Sequence, residues 1–266
     1  MTSIGLLDAL WTDYVASTPQ AEGVHHLLAA RGELIHHDHV AVRTFAGPRI
    51  GMEAIAGAFE ELGWRGRDRH RSEAPHVRAR SWAPPDPDLP KVLIAEVLVD
   101  ELSPRAQEII GGLIEQLPPR FPRDGLAASG RPWQLTCADY QVLRAESEHA
   151  AWVAAFGPRA HHFSVDVRAL ATFPDLVALD AFLIEHGFRL DVADPLARSS
   201  TRVDAVEVSF MDTTMRIPSG TYELVLHARR ARERREEVVE LEQNVDIDAD
   251  ELNAHPVHGG PAHHRG

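Results

Sequence analysis

The chain has 266 residues, of which 44% are hydrophobic, and a formal net charge of -13, enough apolar content for one large domain or two ordinary ones with a packed core. The acidic balance argues against nonspecific attraction to nucleic acid or anionic lipid and makes small molecules the expected partners. No apolar run reaches the length of a membrane span and the amino terminus lacks the basic-then-apolar layout of a signal peptide, so no membrane partner and a cytoplasmic location are expected.

Residues 4–31 carry apolar positions at helical spacing (Leu6, Leu7, Leu10, Trp11, Tyr14, then Val24, Leu27, Leu28) with a break near Pro19, which predicts two helices. Asp38 to Phe45 alternates as a strand does, and Gly51 to Leu62 is an amphipathic helix. His76 to Trp82 and Lys91 to Val99 read as strands across the turn Pro84-Pro85-Asp86-Pro87. Ser103 to Leu117 predicts a helix with Ser103 as cap and Pro104 first, and Asp139 to Phe156 predicts another before Gly157-Pro158. The order then repeats: His162 to Val167 is a strand, Pro174 to His186 a helix, and Asp204 to Asp212 and Thr221 to Ala228 are strands around a turn near Ile217 to Gly220.

Two β-α-β-β-type modules predict an α+β fold in which internal duplication folds a sheet into a half-open barrel, with added helices and the ligand in the cup. On this reading residues 1–230 form one catalytic domain: a helical start (1–34), a first module (35–100), a helical insertion (101–157) and a second module (158–230). Residues 231–266 read as a charged helix and a flexible His-rich tail.

One phrase occurs twice, as His36-His37-Asp38-His39-Val40-Ala41-Val42-Arg43 and as His161-His162-Phe163-Ser164-Val165-Asp166-Val167-Arg168. His39 and His162 hold matching places at the mouths of their strands, so a pseudo-twofold arrangement would bring them face to face. Glu223 lies in the apolar run Gly220 to His227, where an unpaired charge would be costly. Two histidines and one glutamate on strands can form a metal site with open positions; the alternative is that they are ordinary polar strand ends. The lone cysteine, Cys137, excludes an internal disulfide and a thiolate cluster, so any metal must use nitrogen and oxygen. His36, His37 and His161 could orient the ligands or be solvated.

Arg43 lies four residues after His39 and shares its strand face. It could grip a substrate carboxylate bidentately, or form an ion pair with Glu96 or another core acid. Glu96 itself could be a fourth metal contact, the partner of Arg43, or an edge residue facing water. The stretch Arg65 to Arg71 reads as a solvated loop, the helix near Arg229 to Arg235 as likewise solvated, and His255, His258, His263 and His264 as an adventitious metal-binding tract.

Several motifs together resemble the 2-oxoadipate dioxygenase/decarboxylase family: Asp38 to Phe45, Leu89-Pro90-Lys91 to Glu96, Ser199-Ser200-Thr201 with Phe210, and Ile217-Pro218-Ser219-Gly220-Thr221-Tyr222-Glu223, in order from about residue 35 to 230. The resemblance implies a vicinal oxygen chelate-like fold and an iron(II) centre held by His39, His162 and Glu223. It puts Arg43 in the catalytic, substrate-binding position and leaves His161 as the rival for the second ligand. The implied partners are dioxygen and a 2-oxo acid that chelates the metal, 2-oxoadipate giving 2-hydroxyglutarate and carbon dioxide. The rival readings are a zinc- or nickel-dependent hydrolase or isomerase of the same superfamily, and a non-catalytic small-molecule binding module.

Overall fold

The computed structural model describes residues 2–71, 74–118, 130–194, 198–202 and 205–226. The amphipathic start forms α1 (Ser3–Ser17) and α2 (Pro19–Ala30), separated where Thr18 leaves the helical region (φ -138°, ψ 63°) ahead of Pro19. Then come β1 (His37–Phe45), α3 (Met52–Glu61), β2 (Arg65–Arg71), β3 (Val77–Ala83) and β4 (Lys91–Val97). Three helices follow, α4 (Pro104–Glu115), α5 (Cys137–Glu146) and α6 (Glu148–Phe156). The last described stretch is β5 (Arg159–Asp166), α7 (Leu176–Glu185), β6 (Leu190–Asp194), β7 (Arg198–Thr201), β8 (Ala205–Ser209), β9 (Thr214–Pro218) and β10 (Thr221–Val225).

Eight strands form one sheet in the order β2-β3-β4-β1-β5-β10-β7-β6, and β8 and β9 pair separately. At the centre β1 runs antiparallel to β5, while β1 is parallel to β4 and β5 is parallel to β10. The outer pairs are antiparallel. The sheet therefore maps onto itself when β1, β2, β3 and β4 are exchanged for β5, β6, β7 and β10. Among the described residues it is an open sheet, ending at β2 and β6, and not a closed barrel. The result is a mixed α+β fold with seven α-helices among the described residues, none long and apolar enough to cross a membrane.

One face of the sheet is covered by α1, whose Trp11 and Tyr14 pack against the Phe163 ring at centroid distances of 5.1 and 5.0 Å. Leu6, Leu10 and Tyr14 recur at helical spacing on that face and are buried, each contributing about 2 kcal/mol of transfer free energy. Because strand side chains alternate, the neighbours of Phe163, His162 and Ser164, are left for the opposite face.

Several expectations are corrected. Arg65–Arg71 is not a loop but the edge strand β2, paired with β3; a charged edge resists pairing with other chains, and Arg69 is ion-paired with Glu53. The helix expected over Asp139 to Phe156 is two helices, split at Ser147 (φ -147°, ψ 115°), whose hydroxyl accepts from the Ala150 N–H and caps α6. The strand expected at Asp204 to Asp212 pairs not with β10 but with β9, which contains Ile217 and Pro218; the hairpin turns at Phe210 to Thr213. The true neighbours of β10 are β5 and β7. The charged helix and the His-rich tail lie outside the described residues.

Candidate metal centre

The register of the three central strands puts the candidate ligands on one face. Ser164 of β5 lies opposite His39 of β1 on one side and Glu223 of β10 on the other. His162, two residues earlier on β5, shares the Ser164 face. The His39 and His162 Nε2 atoms are 2.9 Å apart, and Glu223 Oε2 lies 3.9 and 3.8 Å from them. Among the described residues these three form the one cluster of His, Cys, Asp or Glu groups whose ligand atoms all lie within 4.8 Å of one another.

Two β-bulges make this possible. The β1–β5 register slips between His37 and His39 and again between Ala41 and Val42. The first slip inserts Asp38, so that His37 turns to the α1 face beside Trp11 and Phe163 while His39 turns to the other. The second inserts His161, so that His161 and His162 both reach the same cavity. An inserted residue re-aims a side chain at little cost, which is why bulges gather at functional sites.

Hydrogen bonding fixes the Nδ1 side of each ring. His39 Nδ1 lies 2.9 Å from Asp38 Oδ2, and Lys91 Nζ donates to Asp38 Oδ1 at 3.0 Å. A carboxylate only accepts, so His39 carries a proton on Nδ1, and its Nε2 is the atom turned to His162. His161 Nδ1 lies 3.1 Å from the Ala41 carbonyl oxygen, and His161 Nε2 lies 2.9 Å from His162 Nδ1. The carbonyl also only accepts, so His161 Nε2 is a lone pair, His162 donates to it from Nδ1, and His162 Nε2 is a lone pair as well.

The two Nε2 atoms thus face each other beside a carboxylate. Burial, then the charges of His39, Arg43 and Arg198, hold the His162 imidazole well below its ordinary pKa, so its Nε2 is kept as a lone pair. Imidazole and carboxylate donors in this arrangement suit a divalent cation. The Ser164 hydroxyl, fully buried, lies 3.0 Å from His39 Nε2 and 3.3 Å from Glu223 Oε2.

The centre opens into a cavity of about 410 Å³ lined by His161, His162 and Glu223, by Arg43, and by Tyr140, Trp152, Met215 and Ile217. The Arg43 guanidinium sits 5.2 Å from the Trp152 ring centroid, and its Nε is buried without a hydrogen-bond partner among the described residues. Burial holds its pKa down to about 10, against the opposing pull of Glu148. Arg43 is therefore a cation whose pairing is incomplete inside a cavity that adjoins the candidate ligands.

None of the three readings of Glu96 survives. It is 3% exposed, accepts from the Met52 N–H at 2.7 Å through Oε2 and is ion-paired with Arg78 through Oε1. It closes the first turn of α3 and is neither a fourth metal contact, nor the partner of Arg43, nor solvated. His36 is exposed, and His161 stands behind His162 with its Nε2 turned to that ring. Asp38, Ser164 and Trp152 were not singled out from sequence; the adjacency of Asp38 to His39 is the one local signal among them.

A glyoxalase-superfamily protein of Ralstonia eutropha JMP134 superimposes with a TM-score of 0.66 at 20% identity, covering 84% of this chain and 82% of that one. No family model matches the chain. The rice protein named 2-oxoadipate dioxygenase/decarboxylase, chloroplastic/amyloplastic, is 30% identical over 267 residues, covering 91% of this chain and 70% of that protein. The crystal structure of hydroxyglutarate synthase from Oryza sativa in complex with 2-oxoadipate has a TM-score of 0.76 at 28% identity, covering 85% and 81% of the two chains. A protein of Shewanella frigidimarina NCIMB 400, provisionally designated a hydrolase, has a TM-score of 0.80 at 37% identity over 86% and 93%. The chain belongs to the 2-oxoadipate dioxygenase/decarboxylase family.

Proposed function

We propose that the chain is an iron(II)-dependent dioxygenase that converts 2-oxoadipate and dioxygen to 2-hydroxyglutarate and carbon dioxide. The observation that carries the reading is the convergence of two imidazole nitrogens and one carboxylate, 2.9 to 3.9 Å apart, at the end of a cavity that holds a buried arginine. His39, His162 and Glu223 would hold the metal; three protein ligands leave positions for a chelating substrate and for dioxygen. Iron(II) supplies the one-electron chemistry through which dioxygen can react with a 2-oxo acid. The two halves of the sheet act as a half-open barrel with this centre in its cup, within one catalytic domain.

The chain's own groups do the rest. Asp38 keeps the His39 imidazole aimed at the centre. Arg43 binds the distal carboxylate with its planar fork, and Trp152 holds that fork flat. Fixing the far end of a six-carbon acid sets which carbon lies next to the centre. Tyr140, Met215 and Ile217 exclude water from the chain between the two ends.

The test is dioxygen uptake by protein prepared without oxygen and without a histidine tag, reconstituted with iron(II) and given 2-oxoadipate, beside a His162→Ala control. Uptake matched one to one by carbon dioxide and 2-hydroxyglutarate, absent from the control, is expected. The provisional hydrolase designation of the Shewanella protein favours a second reading, a zinc- or nickel-dependent hydrolase. Stoichiometric metal without oxygen consumption would turn the question to another 2-oxo acid and, if none is oxidised, to that second reading; no bound metal would leave a binding module.

A further inference from the structure

His161 is part of neither the proposed ligand set nor the carboxylate grip, yet four observations converge on it. Its Nδ1–H donates to the Ala41 carbonyl and its Nε2 accepts from His162 Nδ1. Its ring stands nearly perpendicular to His162, at 72° with centroids 4.3 Å apart. Its other flank meets the edge of Trp152, at 74° and 5.9 Å. Its backbone is clamped from β10: a Cβ added at Gly220 would lie 2.3 Å from the His161 carbonyl oxygen, so only glycine lets that strand start close in. The bulge that inserts His161 has no purpose in pairing the strands, since it leaves a residue unpaired.

We propose that His161 is a positioning residue for His162: it fixes the tautomer and ring plane that put the Nε2 lone pair at the centre, and so sets metal affinity without touching the metal. The inference rests on the reading of His39, His162 and Glu223 as the metal ligands. The two imidazoles are supported differently. His39 leans on the carboxylate of Asp38, which adds charge, whereas His162 leans on a neutral ring that passes on the dipole of a main-chain carbonyl. Without His161, the His162 Nδ1–H loses its acceptor and nothing prevents that ring from taking the other tautomer, in which Nε2 carries the proton and cannot bind metal.

The experiment measures the Kd for cobalt(II), with its visible absorption spectrum, on four forms: wild type, His162→Ala, His161→Phe and His161→Gln. Phenylalanine keeps a ring against Trp152 and removes the acceptor, while glutamine can place an amide oxygen near the site of Nε2. The expected results are a Kd about 10- to 100-fold weaker and an altered spectrum for His161→Phe, and a return to within about threefold of wild type for His161→Gln. Melting of the metal-free proteins separates packing from positioning, because a packing role would lower both variants' melting temperatures and Gln would not rescue affinity. The proposal is overturned if His161→Phe binds like wild type, if it loses stoichiometric metal as His162→Ala does and is therefore a ligand, or if Gln fails to rescue. Wild type that binds no cobalt would instead bring down the ligand set on which this rests.

Discussion

Replacing Arg43 by methionine separates a residue that holds the fold from one that holds a ligand. In the structure the Arg43 Nε is buried without a partner, which costs about 1–3 kcal/mol, and the guanidinium recovers about 0.5–2 kcal/mol from the Trp152 face 5.2 Å away. Methionine fills a similar volume with no donor to satisfy, so the ligand-free variant should lie between about 1 kcal/mol less and about 2.5 kcal/mol more stable than wild type. For a chain of this size the upper end is a rise in Tm of roughly 5–10 °C. With substrate the balance reverses. A bidentate pair to the distal carboxylate should be worth about 3 kcal/mol, or roughly 150-fold in Kd. The assay is titration of metal-loaded, oxygen-free protein with 2-oxoadipate and with 2-oxohexanoate, which has the same six carbons but a methyl group in place of the distal carboxylate. Wild type should prefer 2-oxoadipate by about two orders of magnitude, and Arg43→Met should bind both alike with unchanged metal affinity. Equal weakening of both ligands, or a clear loss of ligand-free stability, would show that Arg43 serves the fold and not the carboxylate.

Glu96→Gln should cost about 1–3 kcal/mol, because the carboxylate that receives the Met52 N–H and pairs with Arg78 becomes neutral in a 3% exposed position. Thermal melting reads that loss; a shift in metal Kd instead would return Glu96 to the centre. His149 gives a pH test. Burial, then the Arg43 charge, hold its imidazole down to about 4 from an ordinary 6.5. Below pH 6.5 the unfolded chain takes up a proton that the folded chain refuses until the pH nears 4, so this group removes stability as the pH falls through that window, by at most about 2 kcal/mol at pH 5. His149→Gln should therefore match wild type at pH 8 and gain on it at pH 5, and parallel melting curves at both values would refute the assignment.

How much of the centre is legible in the sequence follows from what repeats. Duplication leaves His39 and His162 at matching places, and period-two alternation is enough to put Arg43 on the His39 face. Glu223 stands out because a lone acid in Tyr222-Glu223-Leu224-Val225 needs a partner. The outlines of β1, β4, α3, α4 and α7 follow from periodicity and caps. Periodicity fails for β2, whose Arg65–Arg71 is polar throughout because it lies at an edge, and for β7, a four-residue strand of Arg, Ser and Thr. It fails for Glu96 because the N–H it caps belongs to a helix 44 residues earlier.

The bulges are the deeper omission. A residue inserted into a strand has no compositional signature, yet the two insertions decide which histidines face the centre. With ideal alternation His37 would point with His39, and His161 would point with Phe163 into the helix-covered face. The slips reverse both: His37 goes to the Trp11 layer and His161 comes round beside His162. The inserted residues are Asp38 and His161, the two that hold the Nδ1 protons of the candidate ligands. The same distortion that re-aims each ligand thus supplies its support, once as a carboxylate and once as an imidazole backed by a carbonyl. Two halves that match in strand order differ in that one chemical choice, and this asymmetry is visible only when register and hydrogen bonding are read together.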